Sequence, residues 1–410
     1  MNKIAMTKSS IKTAKGITLI ALVITIIILL ILAIVSIGAL TGDNGLIARA
    51  QKAKNNTLDA QNLENTTLAD LENLIETAQI TGIDTKVTNP ITAMPEGSII
   101  IEGDASKGIV IKDKNENEWV WVEVPKTIYT NSAYLTDATT PTSNTDYTNI
   151  EKIMQNYVAA YRQNGYKDEW YSEEQHGLKQ TQYNELKQKM LTSVYENGGF
   201  WIGRYEVGDA TATENNIKIS NRRNDISNVA VLKMNQIPYN CVTCAQAQTI
   251  STNMATGGKT GSLLFGIQWD LTCKFLEKAG LTESNIKGGD SVGSTNWGNY
   301  ANSSINLVRG KYNINPGDTS NEWILNENGT KNGRFLLTTG ASDDTNKMNI
   351  YDLAGNEWEW TLEYTSNTSN PCTRRGGFYY YDGNVSYAAI HNYNDALGSN
   401  TNIGFRPAMY

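Results

Sequence analysis

Near the C-terminus, acidic residues and tryptophans alternate along a short stretch of the chain. Residues 349–361 read Asn-Ile-Tyr-Asp-Leu-Ala-Gly-Asn-Glu-Trp-Glu-Trp-Thr, and two arginine and glycine elements follow, Arg375-Gly376-Gly377 and Gly404-Phe405-Arg406-Pro407. Carboxylates and backbone carbonyls are the ligands that calcium takes in proteins, whereas tryptophan contributes most when its ring is buried. The residues alone leave two interpretations: the acids bind calcium, or they are solvated or capping groups beside tryptophans that pack a core.

The order and spacing of these three elements resembles the C-terminal half of the formylglycine-generating enzyme (sulfatase-modifying factor) family, whose fold is similar to C-type lectins. Two further segments extend the resemblance. Gly198–Val207 resembles the strand that opens the family's conserved body, and Ser262–Leu276 resembles its internal helix. The resemblance implies an α+β, C-type-lectin-like domain over residues 97–410.

The catalytic thiols of that family have no counterpart here. Its enzymes carry two copper-binding, redox-active cysteines between the Arg-Gly-Gly and Gly-Phe-Arg elements, and Tyr381 and Ser386 fall near the corresponding positions of this chain. The comparison predicts a non-catalytic domain without copper, so the protein is not expected to be an enzyme. The alternative is an active member of the family that oxidises a substrate cysteine.

The same resemblance assigns a calcium loop to the first element. It implies side-chain ligands at Asp352 and Glu359 and main-chain oxygen ligands at Gly355 and Glu357. Calcium is therefore the one cofactor that the sequence predicts.

Between the Arg-Gly-Gly and Gly-Phe-Arg elements, residues 378–402 are rich in tyrosine, asparagine and aspartate. Tyrosine supplies rigid, amphipathic contact area, and serine, glycine and asparagine supply adaptable hydrogen bonds, which is the composition of an antibody-like binding surface. The alternative is an irregular loop packed by its own tyrosines. The residues predicted to contact a ligand are Tyr379, Tyr380, Tyr381, Asp382, Asn384, Tyr387, His391, Asn392, Tyr393, Asn394 and Asp395.

This segment also resembles the variable region of lectin-like proteins that retroelements diversify, which ends in Asn-x-Gly-Phe-Arg-type sequence. The match here is Asn402-Ile403-Gly404-Phe405-Arg406. The resemblance implies a diversified binding segment whose partner is an extracellular protein or glycan. Trp297, Asn299 and Tyr300 are expected to form a rim of the same surface.

The N-terminal region contains an apolar run, residues 17–40, without a charged side chain. A helix of this length is about 36 Å long and exceeds a bilayer core of about 30 Å. Its Ile, Leu and Val residues sum to about −7 kcal/mol on an insertion scale. A secretory signal peptide is the alternative, but its apolar core is usually only about 7 to 15 residues. The run predicts a single-pass transmembrane helix.

Residues 15–20, Lys-Gly-Ile-Thr-Leu-Ile, resemble the cleavage junction of type IV prepilins and pseudopilins, and residues 1–16 resemble their leader. The resemblance implies a bacterial surface protein that prepilin peptidase cuts between Gly16 and Ile17, with its C-terminal bulk outside the cell membrane. The glutamate that the family usually places five residues after the cut is Ala21 here, so assembly with other pilins stays open. A minor pilin at a filament tip is a third hypothesis.

Two segments connect the apolar run to the domain. Residues 41–80 carry small and apolar residues at three- and four-residue steps, which predicts a helical stalk, with a coiled-coil contact as the alternative. Residues 81–96 contain two prolines and no periodicity and are predicted to be a linker. Within the domain, strands are predicted at Gly97–Glu102, Gly108–Lys112 and Glu118–Val124, a surface loop at Thr127–Asn149, and helices at Ile150–Arg162 and Tyr183–Val194.

Charge and cysteine usage narrow the class of partner. The net charge of −7 and the absence of a basic run beyond the N-terminus argue against a nucleic-acid partner. The cysteines are predicted to be buried, inert thiols, with disulfide pairing left open. His176 is predicted to lie on a solvated polar face. The four cysteines are Cys241, Cys244, Cys273 and Cys372.

Overall fold

The computed structural model describes residues 23–30, 49–57, 88–212, 226–314, 324–325 and 329–410. The chain divides into two compact units, residues 1–77 and 78–410. In the first unit, residues 23–30 (α1) and 49–57 (α2) are helical. In the part of the chain that is described, no helix combines the length and apolar character that a membrane span requires. The predicted Gly16–Ile17 junction and most of the predicted span and stalk lie outside these residues.

The second unit mixes short helices with many strands, which confirms the mixed α and β composition. Its helices are α3 Tyr147–Tyr157, α4 Glu173–His176, α5 Gln180–Asn197, α6 Cys244–Met254, α7 Gly266–Leu276 and α8 Glu283–Lys287, with 3-10 turns at Lys126–Thr130, Ser132–Tyr134 and Glu277–Ala279. Its strands are β1 Ile99–Glu102, β2 Val110–Lys112, β3 Glu118–Glu123, β4 Tyr166–Lys167, β5 Gly199–Gly203, β6 Gly208–Asp209, β7 Ala230–Val231, β8 Ile237–Pro238, β9 Gly261–Leu263, β10 Ser304–Leu307, β11 Lys311–Asn313, β12 Ile324–Leu325, β13 Gly329–Asn332, β14 Leu336–Leu337, β15 Trp358–Thr365, β16 Cys372–Arg375, β17 His391–Asn394, β18 Ile403–Phe405 and β19 Pro407–Met409.

The larger sheet is antiparallel and has the strand order β1-β2-β3-β5-β19-β9. The predicted strands at 97–102, 108–112 and 118–124 correspond to β1, β2 and β3. The four central residues of β3, Trp-Val-Trp-Val, are all buried, so this strand is covered on both faces. The buried indoles keep their hydrogen bonds, since Trp121 donates to the Thr88 hydroxyl at 2.9 Å and Trp201 donates to the Ala93 carbonyl at 3.0 Å.

The second sheet has the order β17-β16-β15-β18, with β4 also paired to β15. β15 runs parallel to β18, so that Trp358, Glu359 and Trp360 lie opposite Ile403, Gly404 and Phe405. β16 pairs with the other edge of β15. The three sequence elements that defined the resemblance are therefore neighbours in one sheet. Smaller sheets, β7-β6-β8, β12-β11-β14 and β10-β13, complete the unit.

One large hydrophobic core connects both main sheets to the helices, and a smaller cluster lies under β10, β11 and β14. Helix α5 shows how the sequence builds this core. Its buried side chains recur at helical spacing, and it ends at Gly198, whose φ of 72° provides a left-handed C-terminal cap. The predicted helix Tyr183–Val194 lies within α5.

Three predicted boundaries differ from the structure. The predicted helix 262–276 divides into strand β9 and helix α7, because the Asp168 carboxylate accepts hydrogen bonds from Gly266 N at 2.5 Å and Ile267 N at 2.9 Å and so fixes where α7 begins. Helix α3 begins inside the predicted loop 127–149 and ends at Tyr157, before the predicted Arg162.

The predicted linker 81–96 is also different where it is described, from residue 88 onward. Thr88 and Ala93 are buried, and the Thr88 hydroxyl donates to the Gly198 carbonyl at 3.1 Å. Residues 88–96 thus pack on the domain, because they cover the tryptophans of β3 and β5.

Candidate functional site

Buried ion pairs hold the frame of the C-terminal segment. The Arg375 guanidinium of β16 donates to Asp270 Oδ1 at 2.6 Å, to Glu363 Oε2 at 3.2 Å and to the Ile390 carbonyl at 3.1 Å. His391 Nε2 lies 3.4 Å from Glu363 Oε1. The arginine of the Arg-Gly-Gly element therefore connects α7, β15 and the segment 378–402, and His391 belongs to this buried network.

The arginine of the Gly-Phe-Arg element makes a second buried pair. Arg406 Nη2 donates to Glu359 Oε1 at 2.9 Å and Arg406 Nε donates to Glu359 Oε2 at 3.2 Å. The same guanidinium donates to the Gly203 and Tyr351 carbonyls, each at 2.8 Å. Both oxygens of Glu359 are thus bonded to a protein cation.

The other residues of the predicted calcium loop are also bonded within the protein. Asp352 Oδ2 accepts from Gly340 N at 2.7 Å and Asp352 Oδ1 accepts from the Thr345 hydroxyl at 2.8 Å. Glu357 is buried and accepts from the Asn240 amide. Among the described residues, no group of three or more His, Cys, Asp or Glu side chains is arranged to hold a metal ion. The Asp352 and Glu359 oxygens are thus engaged by protein donors, and calcium binding by Asp352, Gly355, Glu357 and Glu359 stays a prediction.

A buried acid that the sequence did not single out supports the same turn. Glu206 Oε2 accepts from Asn356 Nδ2 at 2.6 Å and Glu206 Oε1 accepts from Glu357 N at 3.2 Å. Burial, with the nearby Asp352 and Glu357 carboxylates, raises the pKa of Glu206 well above its ordinary value. Glu206 fixes the turn before β15 through these two hydrogen bonds. Its position directly after Arg204-Tyr205 in the resembling strand was the signal available in the sequence.

The thiols and the second histidine lie in the interior. All four cysteines are free and buried, which confirms the prediction of buried thiols. Burial raises the pKa of Cys273, and the neighbouring Cys244 together with burial raises that of Cys372, so neither is a reactive thiolate. His176 is buried as well, against the prediction of a solvated face, because its ring packs on Tyr183 and its Nε2 accepts from Tyr171 N at 3.1 Å.

The positions near which the family would carry its catalytic cysteines have different environments. The Tyr381 side chain is 53% exposed, whereas Ser386 is 3% exposed. The Ser386 backbone lies against Gly377, where a Cβ would meet the Ser386 carbonyl oxygen at 2.0 Å. Of the two positions, only Tyr381 therefore exposes its side chain to solvent.

The predicted ligand-contacting residues differ in exposure. Tyr380, Tyr381 and Tyr393 are 45%, 53% and 47% exposed, and Tyr379 and His391 are buried. Asp382 and Asp395 are also exposed, and Asn384, Tyr387, Asn392 and Asn394 are half-buried. Trp297, Asn299 and Tyr300 are buried, so they do not form the predicted rim. Residues 381–383 lie beside this segment, since Ala301 N donates to the Tyr381 carbonyl and Ser294 N donates to the Gly383 carbonyl.

Strand β17 divides the predicted residues between two faces of the sheet. Successive side chains of a strand point to opposite faces, and β17 pairs Asn392 with Arg374 and His391 with Arg375. Asn392 and Asn394 therefore share a face with Arg374. His391 and Tyr393 lie on the other face, where the Tyr166 ring packs 4.6 Å from the His391 ring.

Aromatic rings cover the face of the sheet that carries Arg374, Asn392 and Asn394. The buried Phe378 ring lies 5.9 Å from Trp358, 6.1 Å from Tyr380 and 5.0 Å from Tyr381, measured between ring centroids. Tyr380 and Tyr381 expose their outer parts to solvent. We refer to these four residues, Trp358, Phe378, Tyr380 and Tyr381, as the tyrosine patch.

Two arginines that belong to none of the sequence-predicted site residues border the tyrosine patch. The Arg334 guanidinium carbon lies 4.0 Å from the centroid of the Tyr380 ring. That of Arg374 lies 5.0 Å from the Trp358 ring, and Arg374 Nη2 donates to Asn392 Oδ1 at 3.3 Å. Arginine above an aromatic face is a favourable cation–π contact. The patch therefore combines exposed tyrosine with positive charge.

Residues 178–409 match the family described as "Sulfatase-modifying factor enzyme 1-like domain". The curated proteins gave no match. Solved structures also match, among them "Treponema denticola variable protein 1", which is 16% identical over 37% of this chain, with a TM-score of 0.21. The match spans about half of that structure's own length, 48%.

Proposed function

Because the chain belongs to the sulfatase-modifying factor enzyme 1-like domain family, we propose that its C-terminal domain is a non-catalytic member of the family that binds an external ligand through the tyrosine patch. The observation that carries the proposal is the tyrosine patch itself. Tyr381 replaces a catalytic thiol near the position that the family resemblance assigns to it, and its ring is half exposed beside Tyr380.

The packing of the patch suits recognition. Tyrosine presents a large apolar surface with a polar tip and loses little side-chain entropy when it is buried by a partner. The backbone beneath is fixed, since Ala301 N donates to the Tyr381 carbonyl at 3.0 Å and Ser294 N donates to the Gly383 carbonyl at 2.9 Å. The two exposed rings are thus held by a rigid support, which lowers the entropy that binding costs.

The N-terminal sequence supports the cellular context of this proposal. A prepilin-type leader cut after Gly16 and an apolar span at 17–40 would anchor the chain in a bacterial cell membrane with residues 97–410 outside. The ligand is then an extracellular protein or glycan, and the protein acts as a surface-displayed, adhesin-like receptor. Diversification of residues 378–402 belongs to the same proposal.

A binding screen tests the function. The purified full-length chain is applied to arrays of glycans and bacterial surface proteins, together with the Tyr380→Ala/Tyr381→Ala double variant. The proposal expects at least one ligand whose binding the double variant loses. Tyr393→Ala is the comparison, since this tyrosine is equally exposed on the opposite face of the sheet. A ligand whose binding is lost in Tyr393→Ala but kept in the double variant would place the binding site on the opposite face of the sheet.

The alternative activity has its own test. An oxidase of the family would convert a cysteine-containing peptide in the presence of copper, and mass spectrometry would detect the aldehyde product. We expect no conversion, because the described cysteines are buried and two of them have raised pKa values. Incorporation into a filament, the pilin hypothesis, would be detected by cross-linking to other pilins in intact cells.

A further inference from the structure

The arginines of the domain differ in whether a carboxylate neutralises them. Five of the described arginines between residues 88 and 410 contact an Asp or Glu side chain: Arg162, Arg204, Arg309, Arg375 and Arg406. Among the described residues, Arg334 and Arg374 have no such partner, and both lie over rings of the tyrosine patch. In a chain with a net charge of −7, two arginines at one surface without a described acid partner differ from the other described arginines of the domain.

Arg374 is the more constrained of the two. It extends from β16 on the face opposite to Arg375, is half-buried, and makes one hydrogen bond, to Asn392. Its Nε is buried without a hydrogen-bond partner. Burial lowers the pKa of Arg374 to about 10, so the side chain stays charged at neutral pH while it has lost part of its hydration.

A desolvated guanidinium without a carboxylate is costly, and this cost is recovered when an anion supplies the missing acceptors. The acids of the same segment do not do so. The Asp395 carboxylate accepts from Leu397 N at 2.9 Å within its own turn, and Asp382 makes no ion pair with either arginine. Against the effect of burial, the Tyr381 phenol of the patch itself raises the pKa of Arg374.

We infer that the partner of the tyrosine patch is an acidic protein surface, and that Arg374, with Arg334 at the edge, binds its carboxylates. This inference rests on the proposed function and names the chemistry of its ligand. Tyr, Trp and Arg are the residues enriched at the energetic centres of protein interfaces. Val385, 62% exposed in the turn after Tyr381, adds an aliphatic contact that favours a protein over a carbohydrate partner.

The experiment uses a displayed random dodecapeptide library selected on the immobilised full-length chain. Peptides that bind are expected to be rich in Asp and Glu. A synthetic peptide of the best sequence and its Asn/Gln counterpart are then titrated, and the counterpart should bind about tenfold more weakly, the loss of one charge-assisted contact. Arg374→Gln should remove most of the difference between the two peptides, since only Arg334 remains. Arg374→Lys should restore only part of it, because lysine keeps the charge and loses the planar fork.

Control variants and control ligands test the inference about acidic partners separately from the proposed binding function. Lys114→Gln removes an exposed positive charge in the β2–β3 turn and should leave both titrations unchanged. Peptides that require Tyr381 but bind equally well in their Asn/Gln form would overturn the inference and leave the proposed function intact. Polygalacturonate that binds through Tyr381 while no peptide does would overturn the assignment to a protein partner. If nothing selected depends on Tyr380 and Tyr381, the proposed function fails and the inference fails with it.

Discussion

Arg406 and Glu359 form a buried ion pair with two hydrogen bonds. Arg406 is the one residue between β18 and β19. The Nη2–Oε1 and Nε–Oε2 distances are 2.9 and 3.2 Å, and both side chains are at most 1% exposed. Because β18 belongs to one main sheet and β19 to the other, this pair connects the two sheets. It also occupies the carboxylate that the family resemblance assigned to calcium.

Replacing one member of this pair should destabilise the domain strongly. Arg406→Met leaves the Glu359 carboxylate buried without its cation, and Glu359→Gln leaves the guanidinium with a weaker acceptor. For Arg406→Met we expect a loss of about 3 to 5 kcal/mol in the free energy of unfolding. Urea denaturation of both single variants and the double variant measures this, and the double variant should lose less than the sum. Additive losses would show that the two residues do not act as a pair.

Chelation should leave the stability of the protein unchanged. The oxygens of Asp352 and Glu359 accept hydrogen bonds from protein donors, so calcium would have to compete with these donors. The melting temperature in EDTA should equal that in millimolar calcium. A ligand bound only by the native state must raise this temperature, so a calcium-dependent rise that Asp352→Asn abolishes would restore the calcium loop.

His176 should make the domain less stable in mild acid. Burial lowers its pKa from 6.5 to about 3. Between these two pH values, His176 is protonated in the unfolded chain and neutral in the native state. This contribution to stability is therefore complete above pH 6.5 and is lost progressively toward pH 3. His176→Gln keeps a hydrogen-bond acceptor without this titration. Urea unfolding at pH 7 and pH 5 should show a smaller acid-induced loss for the variant than for the unchanged protein. Equal losses would contradict a buried neutral His176.

Arg374 and Arg375 are neighbours in sequence, but replacing them should change the free energy of unfolding by very different amounts. Arg375 is fully buried between Asp270 and Glu363, and Arg375→Leu should cost about 3 to 5 kcal/mol. Arg374 has no acid partner among the described residues, so Arg374→Leu should change the free energy of unfolding by less than about 1 kcal/mol, or increase it. Thermal and urea unfolding of the two variants measure this contrast. A large loss for Arg374→Leu would assign Arg374 to the structure and not to a ligand.

The strongest local patterns in the sequence predicted the fold well. The alternating Glu-Trp-Val-Trp-Val-Glu of β3 and the apolar spacing of α5 specify their elements locally, and the Trp-Glu-Trp, Arg-Gly-Gly and Gly-Phe-Arg elements indicated a family that the match over residues 178–409 shows. Boundaries such as the start of α7 were missed, because they depend on a cap from Asp168, far away in sequence.

The site was predicted less completely, because exposure and pairing are tertiary properties. Composition indicated a tyrosine-rich surface, but it could not show that Tyr379 is buried or that β17 directs Asn392 and Tyr393 to opposite faces. Arg374 carries the same side chain as Arg375, and only the fold determines which of the two meets a carboxylate.

The tyrosine patch as the binding surface is the central claim, and the most direct measurement is the affinity of one screened ligand for the unchanged chain and for Tyr380→Ala/Tyr381→Ala. Truncating two tyrosines at an interface centre should cost at least about 2 kcal/mol, or about thirtyfold in Kd, while the melting temperature stays the same. An unchanged Kd for every ligand found would contradict the claim.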